Sequence, residues 1–229
     1  MLGIIISERE ESGDLLQNLN TKIIEFNKIR FFLAYFNNVV VVICFSGVGK
    51  ANAAAATMSM IDNFNPQVIF NIGLCGSSRP NVKVNNIIIA NKVCYADVDL
   101  EAFGYKKNIL PNEKMYYEPC KKYVDKIKTI LQDINPLIGT IATSDSIITT
   151  NNYENFPLLT DSSVLGFDME LMAIAQICHK TQVDFFAIKC VSDNLTLQKK
   201  SHSQYDESMN SLPKQIAQIV IKIIKNIFI

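Results

Sequence analysis

The sequence predicts an α/β fold, one domain over residues 1–229 with a large sheet covered by helices. Strand-length apolar runs alternate with helical patterns along the whole chain. Several of those runs end in glycine turns. The last segment carries Ile216, Ile219, Val220, Ile223, Ile224 and Ile227 at helical spacing, a stripe suited to packing on a sheet. In order, Leu2-Gly3-Ile4-Ile5-Ile6 reads as the opening strand. Val39 to Cys44 is a β-branched run of the kind buried on both faces. Ser46-Gly47-Val48-Gly49 then turns the chain into an Ala-rich helix over 50–64. Residues 67–72 form the next strand, ending near Gly73 and Gly76, and 82–93 read as extended. A helix is expected over 117–135, a strand over 138–143, a helix over 169–179 and a strand over 184–191.

Composition removes several classes of function. Lys+Arg and Asp+Glu are equal at 22 each, so there is no electrostatic footprint for nucleic acid. Membrane attachment is not expected. The apolar start is short and runs at once into Glu8, Glu10 and Glu11, unlike a signal peptide. The closing apolar run is interrupted by Lys222 and Lys225 and falls short of the ~20 residues a span requires. The six cysteines show no CxxC pair. They are read as reduced thiols in a cytoplasmic protein, with no structural zinc.

Carboxylates placed where apolar runs end carry the functional signal. Asp193 closes the run Phe185 to Ser192, and Glu170 stands in Gly166-Phe167-Asp168-Met169-Glu170 just before a helical pattern. Glu8, Glu10 and Glu11 follow the opening strand. Ligands of open α/β sheets collect at the carboxyl ends of strands, and desolvation there raises a carboxyl pKa. Each group also has a plainer reading: a charged first helical turn for Glu8 to Glu11, a solvated helix residue for Glu170, a cap or turn residue for Asp193. Ser46 to Lys50 is not a phosphate loop, because Cys44 and Ala51 occupy positions that the motif reserves for Gly and Ser/Thr. It is either a tight turn or a place for backbone to approach a small ligand. His179 and His202 have no partner signature.

Taken in order, these segments resemble the nucleoside phosphorylase/hydrolase superfamily, and within it the 5′-methylthioadenosine/S-adenosylhomocysteine nucleosidases. The residues carrying the likeness are Gly3-Ile4-Ile5 with Glu10-Glu11, Ser46 to Lys50, Asn71-Ile72-Gly73 with Gly76, and Asp99 to Tyr105. Ser144-Asp145, Asp168-Met169-Glu170 and Val191-Ser192-Asp193 complete them. The resemblance implies a three-layer αβα fold with a large mixed central sheet. It also implies hydrolysis of the bond between adenine N9 and ribose C1′ without metal or organic cofactor. Asp193 matches the acid that protonates N7, and Glu11 the base that activates water. Glu170 matches the group that accepts from a sugar hydroxyl, with Met169 beneath the sugar. Backbone at Ile148 reads the adenine edge, and Ile147, Gly76 and Ser192 adjoin the base. Val48 and Tyr205 line the alkylthio pocket. Leu100 and Phe103 complete that pocket in a neighbouring subunit, which implies a homodimer binding a small nucleoside.

The chain departs from the family pattern at four of these places. Ile147 stands where an aromatic usually stacks on adenine, a contact worth ~1–3 kcal/mol. Leu74 replaces a small residue, Glu8 a methionine near the sulfur end, and Ile6 a small residue. Two other activities compete with hydrolysis. One is a phosphate-dependent nucleoside phosphorylase, for which Arg79 is the main cationic candidate. The other is a nucleoside-binding protein that has lost turnover.

Overall fold

In the computed structural model, which describes residues 1–36 and 39–228, the opening run forms β1 (Leu2–Ile6), buried along its whole length. A short 3₁₀ turn, Arg9–Ser12, follows. The strands β2 (Thr21–Phe26), β3 (Ile29–Phe36) and β4 (Val39–Phe45) come next, then helix α1 (Lys50–Phe64). β5 (Val68–Ser77) and β6 (Ile87–Tyr95) lead to α2 (Lys121–Ile130) and β7 (Leu137–Thr143). β8 (Val164–Asp168), α3 (Leu171–Thr181), β9 (Asp184–Asn194), α4 (Ser201–Ser208) and α5 (Leu212–Asn226) complete the chain.

The nine strands form one mixed sheet in the order β2-β3-β4-β1-β5-β8-β7-β6-β9, and β9 also pairs with β5. That last pairing closes β5 to β9 into a ring. β4, β1, β5 and β9 run parallel, so their carboxyl ends share one edge of the sheet. Side chains alternate between two cores, as strand geometry requires. Leu2, Ile4 and Ile6 face α2 and α5 in one apolar layer. Ile5 faces the opposite layer, with Ala53, Ala56 and Met60 of α1 and Ile174 and Cys178 of α3. The expected three-layer αβα arrangement with a mixed sheet is therefore present. All six cysteines are free thiols. No helix among the described residues is long and apolar enough to cross a membrane.

Several boundaries differ from expectation. The helix expected over 117–135 begins at Lys121 and ends at Ile130. Tyr117 instead exchanges backbone hydrogen bonds with Val93 at 2.9 and 3.0 Å, and Pro119 disfavours helical backbone at Glu118. The extended stretch over 82–93 becomes a strand at Ile87 and continues to Tyr95. The hairpin of β2 and β3 turns through Asn27 and Lys28, both left-handed at φ 50° and 65°. This is the geometry that favours a two-residue turn, although the usual glycine is missing.

Candidate active site

The carboxyl ends of these strands surround a cleft of about 500 Å³. The turn after β1 contributes Glu11, the turn after β4 contributes Val48, and the end of β5 contributes Leu74 to Gly76. The segment after β7 brings Ile147 and Ile148, and the end of β8 brings Phe167 to Glu170. Ser192 and Asp193 enter from the end of β9, and Tyr205 from α4. All three functional carboxylates of the sequence reading thus meet in one space.

Glu11 is buried and accepts hydrogen bonds at both oxygens, from the Ser7 hydroxyl at 2.7 Å and the Leu74 amide at 3.3 Å. Burial pushes its carboxyl pKa up, against the opposing pull of Ser7 and of the Lys189 ammonium. Gly73 leaves the room it needs, because a Cβ there would lie 2.7 Å from Glu11 Oε2. The Leu74 contact is made by its backbone N–H, so it does not depend on the side chain at this position.

Glu170 stands at the start of α3 and accepts from the amide of Gly49 at 2.8 Å. The glycine turn before α1 therefore points a backbone donor at a carboxylate, an outcome intermediate between its two sequence readings. Burial first, then the Asp168 charge, pushes the Glu170 pKa up to about 7. Beneath it lies an ion pair, Lys189 Nζ to Asp168 Oδ2 at 2.7 Å, with side chains only 2% and 1% exposed. Asp168 is fixed further by the Thr143 hydroxyl at 2.6 Å and the Leu171 amide at 3.0 Å. Burial alone would lower the Lys189 pKa, but Asp168, Glu170 and Glu11 outweigh it and hold the ammonium charged. One cation faces three carboxyl groups. Burial is the first cause of the upward shift of both Glu11 and Glu170, and for Glu170 the Asp168 charge adds to it.

Asp193 is buried at the end of β9, where a bulge aligns it with Gly76 of β5. The Ser192 hydroxyl donates to its Oδ1 at 2.8 Å and also lies 3.2 Å from the Cys75 carbonyl oxygen. Burial raises the Asp193 pKa, while Ser192 and Ser201 pull it back. The neighbouring Asn194 is locked by Gln204 of α4, whose side chain accepts from its amide and donates to its carbonyl, both at 3.0 Å. Burial shifts the Asp193 carboxyl toward holding a proton, and the Ser192 hydroxyl fixes its orientation.

Comparison with known proteins places the chain in a family. A family model described as the phosphorylase superfamily matches residues 2–225. A 5′-methylthioadenosine/S-adenosylhomocysteine nucleosidase of Exiguobacterium sp. is 32% identical, covering 97% of both chains. One from Staphylococcus haemolyticus is 31% identical over 98% of this chain and 99% of its own. The chain belongs to this nucleosidase family. Among solved structures, the Streptococcus pneumoniae family member with the transition-state inhibitor MT-ImmA superposes with a TM-score of 0.88 at 29% identity, covering 99% of each chain.

The two residues that the nucleosidase resemblance assigns to a neighbouring subunit's pocket lie outside this chain's own cleft. Leu100 and Phe103 sit at a 3₁₀ turn away from it, and Phe103 is 79% exposed. Arg79, the candidate for a phosphate site, is spent on structure. Its guanidinium donates to the carbonyls of Val164 at 2.9 Å, Leu159 at 2.5 Å and Asp161. Ile6 is buried in the core away from the cleft, whereas Glu8 lines it. Lys189, Ser7 and Phe167 were missed as site residues. Lys189 carried a readable signal, since a lysine inside an apolar strand is rarely buried without a partner. Among the described residues no cluster of three or more His, Cys, Asp or Glu could hold a metal ion.

Proposed function

We infer that this cleft hydrolyses the N-glycosidic bond of 5′-methylthioadenosine and S-adenosylhomocysteine, releasing adenine and a 5-thioribose product. The observation that carries the reading is the charge of the cleft. Glu8, Glu11, Asp168, Glu170, Asp193 and Asp206 line it, and among the described lining residues there is no lysine or arginine. A phosphate nucleophile would meet repulsion there, whereas water would not. Family membership and full-length coverage support the same reaction.

In this mechanism Asp193, whose pKa burial raises, donates to N7 as the bond to C1′ breaks. Glu11 takes a proton from water and directs it at C1′, as a general base of elevated pKa suits near-neutral operation. The cation-like ribose is stabilised by the surrounding negative charge. Glu170 accepts from a sugar hydroxyl with Met169 beneath the ring, and Ile147, Ile148, Gly76 and Ser192 surround the base. Val48 and Tyr205 bound the alkylthio end. Leu100 and Phe103 close the same end of a neighbour's pocket in a homodimer, a role that the exposure of Phe103 in the single chain supports. The 1–229 chain acts as one catalytic domain.

The test is adenine release from methylthioadenosine in phosphate-free buffer. Turnover at an undiminished rate is expected; an absolute requirement for phosphate overturns the hydrolase reading.

A further inference from the structure

Besides the His202 imidazole, two aromatic rings line the cleft among the described residues, Tyr205 and Phe167. Tyr205 lies near the Glu11, Glu8 and Asp206 carboxylates. Phe167 is tied to Asp193 through Gly76. That glycine pairs antiparallel with Phe167 and, across the other edge of β5, aligns with Asp193. The contact is close: a Cβ at Gly76 would stand 2.3 Å from Phe167 Cε2 and 2.6 Å from Cζ. Phe167 is buried in one apolar cluster with Ala142, Ile148 and Val164. Ile147, by contrast, is aliphatic and 72% exposed at the mouth.

We propose that Phe167 is a specificity-determining residue that supplies the aromatic contact to the departing purine, with Ile147 serving only as an aliphatic cover. This rests on the glycosidase reading, because it is Asp193 as N7 donor that places the base beside Gly76. A ring held against the purine favours flat aromatic leaving groups through stacking or edge contact. Gly76 is then required for a second reason, since any side chain there drives the ring into the base site.

Calorimetric binding of adenine tests the assignment, comparing the natural chain with Phe167→Leu, Phe167→Tyr and the double variant Phe167→Leu/Ile147→Phe. Phe167→Leu should weaken adenine on the order of tenfold or more and raise KM for methylthioadenosine more than it lowers kcat. Phe167→Tyr, which keeps the ring, should stay within about threefold of the natural affinity. The double variant should recover part of the loss by offering a ring from the opposite wall. A purely structural role predicts no such recovery. A folded Phe167→Leu protein that binds adenine as tightly as the natural chain overturns the proposal. Should that variant fail to fold, Phe167→Met decides on the same criterion. Turnover of methylthioadenosine by the natural chain is measured alongside. Its absence would count against the glycosidase reading alone, because adenine binding does not depend on turnover.

Discussion

Replacing Lys189 by Met removes the single cation at the base of the cleft while keeping the volume of its stem. In the natural chain its ammonium sits 2.7 Å from Asp168 Oδ2, and both side chains are almost fully buried. Leaving Asp168 without this partner costs about 3–5 kcal/mol, a large part of the roughly 5–15 kcal/mol that holds a domain folded. For a chain of this size that corresponds to a fall in Tm of roughly 6–20 °C. The same change moves the chemistry. Lys189 lowers the pKa of both Glu11 and Glu170, so without it both rise further. Glu11 must be ionised to accept a proton from water, and the acid limb of the kcat/KM profile should therefore shift to higher pH. Circular-dichroism melts and a pH–rate profile of adenine release read the two effects separately. Lys189→Arg should preserve most of both properties. A Lys189→Met protein with Tm within about 2 °C of the natural chain and an unmoved acid limb would refute the view that one ammonium balances three carboxyl groups.

Other changes test neighbouring parts of the site. Asp193→Asn should abolish adenine release while leaving the far-ultraviolet spectrum and Tm nearly unchanged; retained turnover removes Asp193 from the role of acid. Gly76→Ala places a methyl 2.3 Å from Phe167 Cε2, so it should cost about 1–3 kcal/mol by overpacking and weaken adenine, read by melting and calorimetry. Glu170 titrates near 7 in the folded chain against an ordinary value of 4.5. The folded state therefore holds its proton more tightly than the unfolded one, and this group makes stability fall as pH rises through that window. Glu170→Gln should flatten the slope of Tm against pH between about 4.5 and 7. Phe103→Ala should raise KM for methylthioadenosine without changing the fold, and a fully active monomer in sedimentation would contradict the shared pocket.

The site was legible where physics leaves a mark on short stretches. A carboxylate at the end of an apolar run costs free energy unless it is used, and Glu11, Glu170 and Asp193 all carried that mark. Gly73 and Gly76 read as a turn closing the strand over 67–72, but β5 runs on through both to Ser77. They are there for the room that Glu11 and Phe167 require, whereas Gly49 does stand in the turn before α1. Long-range arrangements left weaker traces. The pairing of Lys189 with Asp168 joins residues from different strands, and no local pattern names the partner. The ring of Phe167 acquires its meaning only from Gly76 on the adjacent strand. The β2–β3 hairpin was missed because β2 has no fully buried residue and so lacks clear apolar alternation, and its turn has no glycine. The late start of α2 shows the opposite case, in which Pro119 was a local signal that helical periodicity around it obscured.

The account stands on one nucleoside touching both Glu11 and Asp193. A crystal structure with a non-hydrolysable methylthioadenosine analogue measures this directly. The expected complex has the Asp193 carboxyl within hydrogen-bond distance of the purine N7 and Glu11 bonded to a water facing C1′. An analogue bound with either carboxyl out of reach of the glycosidic bond would contradict the mechanism.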